Sequence, residues 1–212
     1  MLDIHKIYDS NNFGKFRVVK YSDCRNIEIE FIDTGYRLNA KAENIRSGCI
    51  KDKLKPTVYG VGFVGVGRHA PSINKKNTKP YCTWVNMFER CYSPKYHERR
   101  PNYKGCEVAQ DWHNFQNFAN WFECNYVDGF QLDKDKLVAG NKIYSAENCV
   151  FLSNHENTEI SVSKCYRFIN PQGCAVSIYN LNKFCRENNL NRSCMGFVHS
   201  GTQNSHKQWR AA

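Results

Sequence analysis

A carboxylate and an amide, Asp133 and Asn157, have the types and spacing of ligands for a divalent cation, and a further amide, Asn148, stands between them in the sequence. Asp133 ends a short strand pattern, Asn148 closes the loop that follows, and Asn157 stands in a polar helix pattern. Carboxylate and amide oxygens are the ligands that hard cations such as Mg²⁺ take in proteins. A cation held there would stabilise the charge that develops when a phosphodiester bond is cut.

The elements around these residues are predicted to be two strands and a helix. One strand ends at Asp133, a second apolar strand covers Cys149–Leu152, and a helix that carries Asn157 follows. This order would bring a carboxylate and an amide oxygen together. The alternative is that Asp133 caps a helix and that Asn157 is an ordinary exposed polar residue.

The distribution of charge favours a polyanionic partner. Residues 1–75 carry 13 lysines and arginines against 8 acids, residues 76–164 carry 11 of each, and residues 165–212 carry 6 against 1. Two basic ends around a neutral centre suit DNA or RNA. A solvated basic surface is the alternative.

Other features argue against membrane, secreted and zinc-binding proteins. No apolar run is long enough to cross a bilayer, and the first residues do not form a signal peptide. No two of the 11 cysteines are spaced Cys-x-x-Cys, as a common structural zinc site requires. We therefore expect reduced thiols and a cytoplasmic protein.

The N-terminal region predicts a small, curved β-module. Strands are expected at Phe16–Tyr21, Ile27–Phe31 and Tyr36–Lys41. In Val58–Gly67 four glycines are interleaved with apolar residues, but the Gly-Lys-Ser/Thr of a phosphate loop is absent. We interpret it as an extended segment that packs closely on a neighbour.

The central region predicts two helices. Apolar residues recur at helical spacing over Trp84–Tyr92. A second helix with aromatic residues on one face, from Trp112 to Phe122, is expected to be capped by Asp111. At this periodicity the aromatic residues are more typical of a core than of a base-stacking surface.

The C-terminal region predicts a β-hairpin, two short helices and a last strand. The hairpin strands are Tyr166–Ile169 and Ala175–Ile178, Asn180 is the expected cap of the first helix, and the last strand covers His206–Arg210. Two short helices joined tightly are the pattern of a helix-turn-helix, although many helical hairpins bind nothing.

Five residues of this region are candidates for DNA contact. Arg192 and Ser193, at the start of the second helix, are the candidates for base edges. Lys183, Arg186 and Lys207 are the candidates for phosphates. The local excess of cations strengthens the prediction of a helix-turn-helix.

Together, these segments resemble phage-type HNH, or ββα-metal, homing endonucleases. The resemblance covers roughly residues 78–212. It is carried by Tyr81–Tyr92 with the helical region after it, by the motif Leu132–Asn157, and by the tail Phe184–Trp209. The tail is similar to the small modular DNA-binding repeats that are appended to such enzymes.

The resemblance implies a role for each matched residue. Asp133 corresponds to the metal ligand at the end of the first strand, and Asn157 to the last metal ligand, on the helix. Asn148 corresponds to the Asn that braces the loop and helps to orient the general base. It also implies one Mg²⁺ or Mn²⁺ ion per site and double-stranded DNA as the substrate.

Lys134 departs from the family, which has a histidine base at this position. A lysine has a pKa of about 10.4 and is a poor base unless burial or cationic neighbours lower it. Three alternatives follow. Lys134 acts through a lowered pKa or as a cation that supports the transition state; Asp135 or His155 is the base instead; or the protein does not cut.

We therefore expect an α+β protein with three regions. Residues 1–75 form a basic β-module with possible DNA contact, residues 76–164 form a helical region leading into an HNH-like ββα-metal motif, and residues 165–212 form a β-hairpin with a helix-turn-helix module. The expected function is a metal-dependent homing-type DNA endonuclease, monomeric, in the cytoplasm of a host or infected bacterial cell. The alternative is an inactive HNH-derived nucleic-acid-binding or regulatory protein.

Overall fold

A computed structural model describes residue 3 and residues 6–137, 140–153, 165–178 and 180–212. The fold is mixed α+β, as predicted, with several small sheets and six α-helices among these residues. They form two compact units. The first is Met1–Tyr126 with Lys134–Val150, and the second is Val127–Asp133 with Phe151–Ala212. The predicted boundaries after residues 75 and 164 stay predictions.

The N-terminal sheet belongs to the first unit and has four antiparallel strands in sequence order. They are β1 (Ile7–Ser10), β2 (Gly14–Asp23), β3 (Asn26–Phe31) and β4 (Arg37–Ala40), and the helix α1 (Ala42–Ser47) follows. Alternate side chains such as Phe16 and Ile29 face one side of the sheet and form a core with Ile45. The three predicted strands are confirmed.

Three charged residues stand side by side on the other face of this sheet. Glu30 lies opposite both Arg17 and Arg37 on the neighbouring strands, and its carboxylate oxygens are 2.6 Å and 3.1 Å from the two guanidinium groups. Hydrogen bonds from Arg17 and then Arg37 lower the pKa of Glu30. Two cations of the basic N-terminal region are thus paired within the sheet.

The glycine-rich segment Val58–Gly67 packs closely on its neighbours, as predicted. The N–H of Phe115 donates to the carbonyl of Phe63 at 2.9 Å. A methyl group at Gly62 would lie 2.8 Å from Cη2 of Trp84, so the backbone approaches the indole ring more closely than any larger residue allows.

The first half of this segment is a tight turn and not the extended chain that we predicted. Val58 and Gly62 form an antiparallel bridge, and Tyr59 and Gly60 at its tip have φ values of 53° and 71°. Two consecutive positive φ values are those of a type I′ turn. A left-handed backbone at a bulky residue such as Tyr59 costs roughly 1–3 kcal/mol.

The centre of the first unit is helical. A hairpin of β5 (Ser72–Ile73) and β6 (Lys76–Asn77) leads into α2 (Lys79–Tyr92), and α3 (Pro94–Arg99) and the short strand β7 (Glu107–Val108) come next. The helix predicted around Trp84 is confirmed. Its buried face consists of Trp84, Met87, Phe88 and Cys91.

The second predicted helix begins later than expected. Its N-cap is Asn114, and α4 covers Phe115–Asn125. Trp112 lies in a preceding 3-10 turn, where its carbonyl accepts a hydrogen bond from Nε1 of Trp84 at 2.7 Å. Asp111 as the cap is therefore wrong, because the turn tied to Trp84 delays the start of the helix.

Three short strands lie in the described part of the predicted ββα motif. β8 (Gln131–Asp133) pairs with β10 (Val150–Leu152), and β9 (Ile143–Tyr144), which lies between them in sequence, pairs in parallel with β7. The strand predicted at Cys149–Leu152 is confirmed. The helix expected to carry Asn157 lies outside the described residues.

The C-terminal region contains the predicted hairpin and both predicted helices. Its elements are β11 (Tyr166–Ile169), β12 (Ala175–Ile178), α5 (Leu181–Glu187), α6 (Arg192–His199) and β13 (Arg210–Ala211). The side chain of Asn180 caps α5, as predicted, and that of Asn191 caps α6. The helices share one core with the hairpin, formed by Phe168, Ile178, Leu181, Cys185, Met195 and Val198.

The last strand is shorter and begins later than predicted. His206 and Trp209 exchange backbone hydrogen bonds of 3.0 Å and 2.9 Å across Lys207 and Gln208, which have φ values of 47° and 67°. These four residues therefore form a tight turn, and the strand predicted at His206–Arg210 is wrong. β13 pairs with β11 only from Arg210 onward.

The 11 cysteines are free thiols, and four of them, Cys91, Cys106, Cys149 and Cys185, are buried. These four behave as small apolar core residues. Among the described residues, no helix is long and apolar enough to cross a membrane.

Candidate functional site

Lys134, at the position that the resemblance assigns to a catalytic base, is a buried residue of the first unit. Its side chain is 8% exposed, and Nζ donates to Oδ1 of Asp135 at 2.7 Å and to the carbonyl of Asn141 at 2.6 Å. Nζ also lies 5.9 Å from the centre of the Tyr144 ring. The side chain of Lys134 is thus in contact with a carboxylate, a carbonyl and the face of an aromatic ring.

Asn141 completes this arrangement. Its side-chain Nδ2 donates to the carbonyls of Lys134 at 3.0 Å and Ile143 at 2.7 Å, and its Oδ1 accepts from the N–H of Ile143 at 3.0 Å. Lys134 and Asn141 thus bind each other's backbone carbonyls and join the two ends of the loop that follows β8. Sequence analysis missed Asn141. The available signal is an Asn directly after Gly140, because the dipeptide Gly-Asn is typical of tight turns.

The residues around Lys134 are deeply buried. Tyr144 is 2% exposed, and burial raises the pKa of its phenol, an effect that Arg90 opposes. Burial and Cys106 raise the pKa of Cys91 to about 12, although the charge of Lys134 opposes this shift. At neutral pH both groups stay protonated, so neither supplies a nucleophile or a thiolate ligand.

The two acids next to Lys134 are both half-buried but belong to different units. Asp133 is the half-buried last residue of β8 and belongs to the second unit, whereas Lys134 and Asp135 belong to the first. Asp135 is also half-buried, and one of its oxygens accepts from Lys134. Asp133 therefore lies at a strand end, the position that the sequence predicted for the ligand.

Asn148 lies in the turn between β9 and β10. Its N–H donates to Oγ of Ser145 at 3.3 Å, and the N–H of Cys149 donates to the Ser145 carbonyl at 3.0 Å. A hydrogen bond from the buried Ser145 also lowers the pKa of the exposed Glu147. The turn fixes the backbone of Asn148 directly before β10, and the bracing role of its side chain stays a prediction.

The remaining predicted residues of the catalytic group, His155 and Asn157, lie outside the described residues. Within the described part of the chain, no three or more His, Cys, Asp or Glu side chains cluster as a metal site. The predicted pair of ligands would not form such a cluster, because it consists of one carboxylate, Asp133, and one amide.

The five predicted DNA-binding residues are all exposed and all belong to the second unit. Lys183 and Arg186 lie on α5, Arg192 and Ser193 begin α6, and Lys207 lies in the tight turn before β13. The helices therefore bring four of them into one part of the tail. Their contacts with DNA stay predictions.

Two of these residues have partners within the tail. Nε of Arg192 donates to Oδ1 of Asn182 at 3.1 Å. Nη1 of Arg192 lies near Gly196, at 3.7 Å from the place that a Cβ atom would take there. Asn182 thus holds the guanidinium group along α6. Nζ of Lys207 donates to the carbonyl of Asn189 at 2.7 Å, so Lys207 also stabilises the link between the two helices.

Phe197 is a residue of this surface that sequence analysis missed. It is 52% exposed on α6, one helical turn after Ser193, and Ser200 on the same side is also exposed. The available signal is an aromatic residue four positions after Ser193 on a polar helix face. An exposed Phe of this kind can contact the methyl group of a thymine in the major groove.

Comparison with known proteins gives a distant structural likeness to a homing endonuclease. No protein-family model matches the chain, and no curated protein is similar to it. The solved structure of the HNH homing endonuclease I-HmuI, described for its DNA binding and cleavage, is 19% identical over 42% of this chain, with a TM-score of 0.23. The match spans 61% of that chain, less than two thirds of its length. Such a TM-score does not establish a shared fold.

Replacing Lys134 with Ala should destabilise the first unit. The change leaves the Asn141 carbonyl without its donor, and we expect a loss of about 1–3 kcal/mol in the free energy of unfolding. The ion pair adds little, because the Asp135 side chain is 42% exposed. Urea unfolding followed by tryptophan fluorescence measures the change, since Trp84, Trp112 and Trp121 lie in this unit.

The matched control is Lys95→Ala, which removes an exposed lysine of the same unit and should change stability by less than about 0.5 kcal/mol. Equal and small effects of the two substitutions would show that the Lys134 hydrogen bonds do not stabilise the loop.

Proposed function

We propose that this protein is a divalent-metal-dependent DNA endonuclease of the HNH type, which cuts or nicks phosphodiester bonds at a long target site. The observation that carries the proposal is the pairing of β8 with β10. The strand that ends at Asp133 is hydrogen-bonded to the strand that leads toward Asn157. This pairing supports a shared cation site between a carboxylate and an amide.

Asp133 and Asn157 would hold the ion, Mg²⁺ or Mn²⁺, through oxygen atoms. Asp133 fits this role because it is a carboxylate whose backbone is held by strand pairing. When bound, the ion would stabilise the charge on the 3′ leaving oxygen. Asn148 would brace the loop from the turn that Ser145 anchors.

Lys134 is poorly suited to take a proton from water. A lysine with its ordinary pKa of about 10.4 is charged at neutral pH and must lose a proton before it can accept one from water. Nζ of Lys134 is hydrogen-bonded to an oxygen of Asp135 and to the Asn141 carbonyl. We infer that Lys134 acts as a fixed positive charge. Asp135 and His155 are the two candidates for the general base, and either would act within hydrogen-bond reach of the attacking water.

A second candidate function is a nuclease-derived protein that binds nucleic acid or regulates a host factor without cutting. The burial of Lys134 favours this second function. Where the family has a histidine base, this chain has a buried lysine that is bound to Asp135. The two functions differ in their need for metal. Binding alone should tolerate a chelator and the loss of Asp133, whereas cleavage should not.

Cleavage of plasmid and phage-genome DNA tests the proposed function. We expect nicks or breaks with Mg²⁺ or Mn²⁺ and none with EDTA. Asp133→Ala should slow cleavage by more than about 100-fold, because a metal supplies several kcal/mol of charge stabilisation.

The control for this assay is Glu98→Ala, which removes an exposed acid of α3 and should leave the rate unchanged. Cleavage that persists in EDTA, or that survives in Asp133→Ala, would contradict the metal site. Tight binding without cleavage of the native target would favour the second candidate function.

We propose that α5 and α6 of the tail recognise the DNA. Arg192, which Asn182 holds in place, presents the terminal nitrogens that suit O6 and N7 of a guanine. Phe197 suits a thymine methyl group. Lys183 and Arg186, exposed on α5, supply the phosphate contacts that set the register of the protein on the duplex.

The phosphate contacts can be counted from the salt dependence of binding. Each contact contributes about 0.9 to the slope of log affinity against log salt, so the double variant Lys183→Ala/Arg186→Ala should have a slope shallower by about 1.8. Fluorescence anisotropy with labelled duplex DNA over a salt series measures the slope.

Arg167→Ala is the control for this experiment. Arg167 is an exposed cation of β11, and its side chain points away from the face on which the neighbouring Phe168 meets α5 and α6. We expect it to keep the wild-type slope. A double variant with an unchanged slope would remove α5 from the interface.

A further inference from the structure

The first unit contains a surface groove that the proposed cleavage chemistry does not use. Its cavity has a volume of about 610 Å³, which lies within the range of about 300–1,000 Å³ typical of small-molecule sites. Side chains of three elements line it, the type I′ turn, β6 and the first half of α2. They include Tyr59, Asn77, Tyr81, Cys82, Val85 and Asn86.

Tyr59 enters the groove from a strained backbone. It occupies the first of the two positive-φ positions of the turn, where Asn, Asp or Gly is strongly preferred. The residue remains 41% exposed, so burial of the ring compensates for only part of the strain. Strained residues that packing does not fully explain are typical of binding sites.

The surroundings of Tyr59 suit a flat ligand with polar edges. Tyr81 supplies a second aromatic ring on α2, and the exposed amides of Asn77 and Asn86 can both donate and accept hydrogen bonds. Burial and then Glu89 raise the pKa of Tyr59, so its ring stays neutral at physiological pH.

Three exposed lysines flank the groove residue Asn77 in sequence. Lys75 and Lys76 lie in the β5–β6 hairpin, and Lys79 lies at the start of α2. They outnumber Glu89, the acid whose charge acts on Tyr59. Lysines next to an aromatic wall are the combination with which proteins bind single-stranded nucleic acid, through the phosphates and the stacked bases together.

We propose that this groove binds an unstacked nucleobase of a DNA strand. The base stacks on Tyr59, the amides of Asn77 and Asn86 contact its edge, and Lys75, Lys76 and Lys79 contact the flanking phosphates. The site goes beyond the proposed cleavage, and it would serve a protein that only binds DNA equally well. Binding of an oligonucleotide therefore tests the groove, and cleavage of DNA tests the nuclease, so that the failure of one proposal is distinguishable from the failure of the other.

Binding of a labelled oligothymidylate to the full chain tests the proposal. Tyr59→Asn should weaken binding by about 5- to 140-fold, the range for loss of one stacked base. The same change should raise the thermal midpoint of the first unit by about 2–4 °C, because Asn suits the turn better than Tyr. If Tyr59 had only a structural role, the substitution would not weaken binding while it raised the thermal midpoint.

Two control variants sharpen the comparison. Tyr59→Phe keeps the ring and should bind like the wild type. Val66→Asn changes an exposed residue of the same glycine-rich segment, away from the groove lining, and should also bind like the wild type. Thymidine monophosphate should bind more weakly than the oligonucleotide, because it lacks the flanking phosphates.

Photocrosslinking of an oligonucleotide that contains 5-iodouracil locates the base on the chain. Crosslinks to Tyr59 or Tyr81 would support the proposal. Wild-type affinity of Tyr59→Asn would overturn it, and so would crosslinks found only outside residues 57–86. Tighter binding of the mononucleotide than of the oligonucleotide would also overturn it, because the groove would then serve a free nucleotide.

Discussion

The hydrogen bonds of the Lys134 ammonium group are the interaction on which the central part of the molecule depends. Through Asn141 they join the two ends of the loop after β8, and Asn141 in turn binds the backbone of Ile143 at the start of β9. Tyr144, the next residue, is buried beneath these contacts. The same side chain stands at the position that the resemblance assigns to the base, so the proposed role of Lys134 as a fixed charge and the stability of the loop rest on the same hydrogen bonds.

In the proposed nuclease, chemistry and recognition are assigned to different residues. Asp133 and Asn157 would hold the ion, whereas exposed cations of α5 and α6 would contact the DNA. A small catalytic motif has little surface with which to read DNA. Separate basic surfaces give the register and base preference that such a motif lacks.

Local signals in the sequence predicted the local structure well, and contacts between distant residues were harder to predict. Asn180 was predicted as the cap of α5 because capping depends on a few neighbouring residues. Asp111 failed as a cap because Trp84, distant in sequence, holds the carbonyl of Trp112.

Two other features could not be read from the sequence. The resemblance assigns Lys134 to the base position, but its burial and its bonds to Asn141 depend on how the loop closes. The positive φ of Tyr59 contradicts the preference of its own residue type. For the candidate site, the strand that ends at Asp133 and the strand before the predicted helix were predictable from the sequence, whereas the ligand roles of Asp133 and Asn157 stay predictions.

Binding of Mn²⁺, followed by electron paramagnetic resonance, tests the central claim most directly. The protein should bind one Mn²⁺ ion per chain, Asp133→Asn should abolish this binding, and Asp135→Asn, two residues away, should retain it. Equal binding by the wild type and Asp133→Asn, or loss of binding only in Asp135→Asn, would contradict a metal site built on Asp133.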